Sequence, residues 1–537
     1  MRDTRFTWKL STVKFVVYKS ELNCNASQPP AEAPVQIDSS VSVNQQKEHF
    51  FNSLSQLGEI IPLAKALPAR EIEGLCARSD IIFAGFHEEI PDTLPCRFLM
   101  HSKGSLLLPG GVLNAWTFQQ STCNLLTSQL QSNQLHEGLG PSAPRTGVFV
   151  PRLNNVFFDC YKELTRLAQR RKSKSELRMV YAGRWIANKG ICQAIRALNL
   201  WPLPDAHLTM IGSYEPNFPI QWCDSTNSTF PIFFQRECLD RNRFVKLELR
   251  RPLTPQQLSE IYKNADLFLY PSFHEDENFG MAPREAILCG MTAVVSDFCG
   301  LGEVGRFQGG GLVKTFPTLA GVRYSVKELR DEIQRMAARS NMTDLDRCTA
   351  AAKIHGECSE TNSLETLRSA CEDLLLCKPT APPFPGWRSK KRFDLWVSQA
   401  PAAFQASVNC CDDDAPEGLY QYGARVQRNG WFSSAHFLRA IQSLYTTLST
   451  APEVATNNTY RGFWRVALFA KEKAIVEFGY PGPRYLRLTD PEWKAIRDSV
   501  KVLSGGEMEF TCRHPSAVKP LQRLVDLGYV VPDIVPA

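Results

Sequence analysis

The chain has 537 residues, 43% of them hydrophobic and 22% charged, which suits about three globular domains and excludes a disordered or fibrous protein. Its formal net charge of +6 is small for that length. Lys and Arg are scattered rather than striped, so nucleic acid is not the expected partner. Among the 17 cysteines there is no C-x-x-C pair, and only Cys410 and Cys411 adjoin. They read as buried thiols in a reducing compartment, not as a zinc or redox centre.

Arg2, Arg5, Lys9, Lys14 and Lys19 interrupt any apolar core that a signal peptide would need. No run approaches the ~18 apolar residues required to cross a bilayer. The expectation is a cytoplasmic protein with no integral membrane segment.

Along the chain, Val13 to Tyr18 (VKFVVY) is expected as a strand, followed by a polar loop over about residues 20–40. Val43 to Leu57 is a helical stretch with Phe50, Phe51, Leu54 and Leu57 on one face. Further strands are expected at Glu59 to Leu63, Asp80 to Ala84, Phe98 to His101 and Gly147 to Val150, with a helical region from Leu113 to Leu135. From Leu177 the alternation is cleaner. The strands are LRMVYAG, LTMIGS, FVKLEL, DLFLYPS and TAVVSD, interleaved with the helices GICQAIRALNLW, TPQQLSEIYKNA and APREAILCG.

Such alternation builds parallel sheets. The predicted fold class is α/β, with two tandem Rossmann-like domains at residues 1–150 and 151–377 facing a ligand cleft at the carboxyl ends of their strands. The Pro-rich stretch 378–387 reads as a linker. Residues 388–537 are expected as an α+β accessory domain. Its end resembles a winged helix, with one helix capped near Thr489 or Asp490 and a second running into a strand.

Two clusters carry chemistry. Strand LRMVYAG ends at Gly183-Arg184, and Lys189-Gly190 then opens a helix. A flexible turn, two cations and a helix N-terminus at a sheet edge suit a diphosphate, although such cations standing alone would pass for ordinary loop residues. The second cluster, Pro271 to Asp297, is more specific. A polar loop leads through Phe279-Gly280 into a helix, and seven residues separate Glu277 from Glu285. Both carboxylates can then face one crevice and accept hydrogen bonds from sugar and ribose hydroxyls, while Gly280 lets the backbone come close.

These pieces (GRWIANKG, LTMIGS, LTPQQLSEIYKNADLFLYPS and ENFGMAPRE, followed by LCG and VVSD) lie in residues 178–305. They resemble the donor-binding half of retaining GT-B glycosyltransferases of family 4, a resemblance extending over about residues 80–375. It implies transfer of a sugar from a nucleoside-diphosphate sugar to an acceptor, with retention of configuration and with neither metal nor cofactor. By the same resemblance Arg184 and Lys189 hold the diphosphate, Glu277 the transferred sugar and Glu285 the ribose. Gly183 and the backbone of Phe279, Gly280, Met281 and Ala282 line the donor. Asn278 and Ala282 stand where the family has Gly and Pro.

The first domain would then receive the acceptor, with His101, after the strand CRFLM, near the reacting centre. Asp412, Asp413 and Asp414 read as a solvated loop rather than a metal triplet. An alternative stays open, because VVYKSELNCN after the first strand has no glycine. It is a catalytically silent sugar-nucleotide-binding or scaffold protein whose residues 388–537 dock a protein partner or nucleic acid.

Overall fold

The computed structural model describes residues 13–18, 40–63, 69–86, 96–101, 122–129, 132, 145–164, 176–200, 206–213, 246–273, 277, 279–297, 299–308, 311–318, 321–338, 344–378, 452–463, 465–479, 482–503 and 508–533. They fall into two compact units, 1–155 with 353–396 and 156–352 with 397–537. Residues 379–387 of the Pro-rich stretch and the Asp412–Asp414 triplet lie outside the described residues. Among the described residues no helix is long and apolar enough to cross a membrane. The described cysteines are unbridged, and all but Cys348 and Cys377 are buried.

The first unit is built on a parallel six-stranded sheet. Its strands are β1 (Lys14–Tyr18), β2 (Glu59–Leu63), β3 (Ile81–Phe86), β4 (Phe98–His101), β5 (Thr122–Leu126) and β6 (Arg145–Val148), in the order β2-β1-β3-β4-β5-β6. Both faces are covered, and period-two alternation sorts the core. Phe15, Val17, Ile82, Leu99 and Leu125 pack with Phe50 and Leu54 of helix α1 (Ser40–Leu57). On the opposite face Val16, Ile81, Phe83 and Phe98 pack with Cys76 of the helix Ala69–Ala77.

Two expectations are corrected here. The region Leu113 to Leu135, expected as helical, contains strand β5 hydrogen-bonded between β4 and β6. A short apolar run such as TCNLL does not distinguish strand from helix by periodicity, and two waiting neighbours settle it. Residues 360–375, within the bounds drawn for the second domain, form the helix Glu360–Leu375, which packs on α1 and on β3 to β6. Its stripe of Ser363, Leu367, Ala370, Cys371 and Leu374 is buried, and Arg97 donates from Nε to the Leu374 and Cys377 carbonyls at 3.0 Å, closing the helix end.

His49 links α1 to that returning helix. Its Nε2 is 3.1 Å from the Ser363 hydroxyl, and its ring stacks on Phe149 at 5.1 Å. Burial, reinforced by the Arg152 charge, pushes the imidazole down to about 4 from the ordinary 6.5. The unfolded chain therefore takes up a proton that the folded one refuses. Stability should fall by about 2 kcal/mol, after allowance for solvent screening, as pH drops through that window. Urea titrations from pH 7 to pH 4 on the parent and His49→Gln check this; an equal slope in both would overturn it.

The second unit also carries a parallel six-stranded sheet. Its strands are β7 (Leu177–Ala182), β8 (Ala206–Ile211), β9 (Lys246–Arg250), β10 (Leu267–Tyr270), β11 (Thr292–Ser296) and β12 (Leu312–Val313). The order β12-β11-β10-β7-β8-β9 is that of a dinucleotide-binding Rossmann sheet, with its topological switch between β7 and β10. Helices α2 (Ile191–Asn199), α3 (Met281–Leu288) and α4 (Cys299–Phe307) follow β7, β10 and β11. Apart from them stand the short hairpin β13 (Phe316–Thr318) and β14 (Gly321–Arg323) and the helix Val326–Ala338, which packs on α2.

Residues 452–533 cluster with this unit. Strands β15 (Thr459–Gly462), β16 (Arg465–Phe469), β17 (Ala474–Gly479), β18 (Gly482–Arg487), β19 (Val500–Val502), β20 (Met508–Thr511) and β21 (Val530–Pro532) form two antiparallel sheets, β19-β20-β15-β21 and β16-β17-β18. The helix Asp490–Ser499 starts at Thr489 in a capping box with Glu492, and Pro515–Asp526 leads into β21. Both helices are where the sequence puts them.

Candidate functional site

At a topological switch point the loops leaving two adjacent strands diverge and leave room for a ligand. Here those loops follow β7 and β10. The first passes Gly183 and Arg184, makes a 3-10 turn at Ala187–Lys189 and enters α2 through Gly190. Gly190 has φ 75°, and a Cβ on it would sit 1.9 Å from the Pro271 carbonyl oxygen, so only glycine lets the two loops meet. The Phe273 N–H donates to the Asn188 carbonyl at 2.9 Å, and the Tyr324 hydroxyl donates to the Pro271 carbonyl at 2.7 Å. The loops are thus one hydrogen-bonded surface.

On this surface Lys189 and Glu277 form an ion pair, with side chains 8% and 9% exposed. Oε2 of Glu277 takes the Lys189 ammonium and also accepts from the Ser272 hydroxyl at 3.1 Å and the Tyr270 hydroxyl at 3.3 Å. Among the described residues nothing donates to Oε1. Tyr270 stacks on Tyr181, their ring centroids 5.9 Å apart. Burial, and then the Glu277 charge, hold the Tyr270 hydroxyl well above its usual range, so it stays a donor. Sequence reasoning missed Tyr270 and Ser272, although Y-P-S at the end of a buried strand is the signal that would have found them.

Glu285 behaves differently. It lies in the second turn of α3, and its carboxyl has no hydrogen-bond or ion-pair partner among the described residues. Burial pushes its carboxyl up to about 7. Its charge is felt by Tyr262, and no described contact joins it to the Lys189–Glu277 pair. The start of α3 is uncapped by any side chain, because its N-cap is Gly280 at φ 72°. A Cβ there would come 2.5 Å from Leu301 Cδ2 of α4. Met281 and Ala282 are the first two helical residues and are half-buried; Asn278 is outside the described residues.

What holds this turn is Arg284, a residue that sequence reasoning passed over. It is fully buried. Its Nη1 donates to the Phe279 carbonyl, its Nη2 pairs with Glu303 of α4 at 3.2 Å, and its guanidinium lies 3.7 Å from the Phe279 ring centroid. A buried charge persists only with such partners. Arg284 falls in register with Ile287 and Leu288 on the apolar side of α3, and that placement was the available signal.

Arg184 is half-buried, and its carbonyl accepts from the Tyr181 hydroxyl at 3.0 Å. His101 sits in the first unit at the end of β4, wholly buried. Its ring stands edge-on to Phe50 and Phe149, with both centroid distances 5.3 Å. The structure therefore brings Lys189 and Glu277 together, puts Arg184 on the same β7 loop, and sets His101 in an aromatic core.

A sequence model of the family described as glycosyl transferases group 1 matches residues 165–318, and no curated protein matches the chain. Among solved structures, sucrose-phosphate synthase from Thermosynechococcus elongatus is similar at 13% identity and TM-score 0.46, over 67% of this chain and 99% of that one. A glycosyltransferase from Rickettsia africae ESF-5 is similar at 12% identity and TM-score 0.45, over 68% and 99%. Anabaena HepE in complex with UDP is similar at 14% identity and TM-score 0.43, over 67% and 100%. Arg184, Lys189, Tyr270, Ser272, Glu277, Gly280 and Glu285 all lie within the segment that is similar to the glycosyl transferases group 1 model.

Proposed function

We propose that the second unit binds a nucleoside-diphosphate sugar at its switch point, and that the protein is a glycosyltransferase moving the sugar to an acceptor hydroxyl with retention of configuration and without metal. One observation carries this reading. Among the described residues three donors lock Glu277 Oε2 while none reaches its Oε1, and the Glu285 carboxyl has no partner. Carboxyl groups deprived of water are costly unless donors reach them, and a sugar nucleotide brings vicinal hydroxyls beside two phosphates. The family match of residues 165–318 points the same way.

The roles then follow from charge. Lys189 and Glu277 neutralise each other, so the charge that develops on the departing diphosphate falls chiefly to Arg184 and to the amides that open α2 and α3. Glu277 Oε1 orients the transferred sugar, and Glu285 takes ribose hydroxyls. A thermal-shift panel of nucleotide sugars tests the reading, because the true donor stabilises the fold by about 2.7 kcal/mol at a hundredfold excess over its Kd. Arg184→Ala should then lower turnover by roughly 10²-fold. A panel in which no sugar nucleotide shifts the melt would sink the proposal.

A binding-only reading is favoured by one fact: His101, the first-unit residue assigned to the chemistry, is enclosed by Phe50 and Phe149. Saturable donor binding without transfer or donor hydrolysis is the result that would select it.

A further inference from the structure

Residues 452–533 lie outside the matched segment, yet one of their side chains reaches the back of the switch-point loops. Phe463, directly after β15, is fully buried. Its ring meets Phe273 edge-on at 5.1 Å and Tyr324 edge-on at 5.3 Å, and the Arg323 guanidinium lies 4.6 Å from its centroid. Arg196, on α2, donates from Nη1 to the Phe463 carbonyl and from Nη2 to the Gly462 carbonyl at 3.2 Å. The Ser325 hydroxyl donates to the Asp533 carbonyl at 2.8 Å, and Asp533 in turn pairs with Arg461 of β15 at 3.0 Å.

Three of the receiving residues, Phe273, Tyr324 and Arg196, belong to the loops and helix that shape the site. Phe273 donates its N–H to Asn188, the neighbour of Lys189, and lies beside Ser272, which holds Glu277. Tyr324 holds the Pro271 carbonyl against Gly190. Arg196 lies on the helix that Gly190 opens. Aromatic edges and a forked guanidinium are directional contacts, so they fix where these loops sit as well as how firmly they are packed.

We propose that Phe463 is a positioning residue for the nucleotide-sugar site, and that segment 452–533 braces the β7 and β10 loops through Phe463 and Arg196. The inference rests on the function proposed above, but its mechanical half does not need a ligand. The test uses the full chain with Phe463→Ala and, in case that variant does not fold, Arg196→Gln. Hydrogen exchange at the Phe273 amide should speed at least about tenfold in the ligand-free protein as its bond to Asn188 loosens. Donor KM should rise about tenfold with kcat within roughly threefold of the parent, the split expected when a preformed binding surface is lost and the reacting groups are kept.

Folded variants with parental exchange and parental KM would overturn the proposal. A parent that saturates with no sugar nucleotide, while exchange still rises in the variants, would remove the proposed function and leave the brace standing.

Discussion

Lys189→Met should destabilise the protein by about 3–5 kcal/mol, because it leaves the buried Glu277 carboxylate without its cation. Glu277→Gln should cost less, on the order of 2 kcal/mol, since the amide can still receive the Ser272 and Tyr270 hydroxyls while the Lys189 charge loses its partner. The double variant should recover most of both losses. A neutral pair of similar volume carries no desolvation debt, and close partners couple non-additively. Urea-denaturation cycles on the four proteins measure the coupling, and additive losses within ~0.5 kcal/mol would show that the pair is not the buried unit seen here. A recovered fold without recovered donor binding is the expected further outcome, since Lys189 and Glu277 also line the proposed donor site.

Much of this was legible from residues because the second sheet consists of short apolar strands ending in polar turns. LRMVYAG and DLFLYPS declare both their length and their exit, and strand order then brings those exits side by side. What the sequence does not declare is who pairs with whom across distance. Lys189 and Glu277 are 88 residues apart, and local chemistry assigned one to phosphate and the other to sugar before the fold made them partners. The same limit applies to helix Glu360–Leu375. Its apolar stripe was readable, but which sheet it would cover depends on packing between elements more than two hundred residues apart, as in the Arg97 bond to the Leu374 carbonyl.

Arg284 and Phe463 illustrate a second limit. An arginine in a helix and a phenylalanine after a strand are ordinary in sequence, and they gain meaning only from total burial and from the carbonyls and rings around them. His101 shows the reverse. A histidine at a strand end invites a chemical role, yet its alternation with Leu99 puts it on the same sheet face as Leu99, toward Phe50 and Phe149. Period two, applied strictly to β4, predicts that direction.

Donor affinity should rise with pH and level off above about 7, because burial holds the Glu285 carboxyl near that value and only the ionised form accepts two hydroxyl hydrogens. The same shift acts on the fold with the opposite sign. A carboxyl whose folded value is raised stabilises the protein most at pH below its ordinary value of 4.5, and that contribution is lost as pH climbs through about 7. The side chain keeps some exposure, so the loss is on the order of 2 kcal/mol. Glu285→Gln should therefore be more stable than the parent at pH 8, bind the donor at least about tenfold more weakly, and show no rise in affinity between pH 5.5 and 8.5. Calorimetric titrations and melts across that range separate the two effects. Stability gained where binding is lost marks a group held for its ligand, whereas a Glu285 needed only for packing would move both in the same direction.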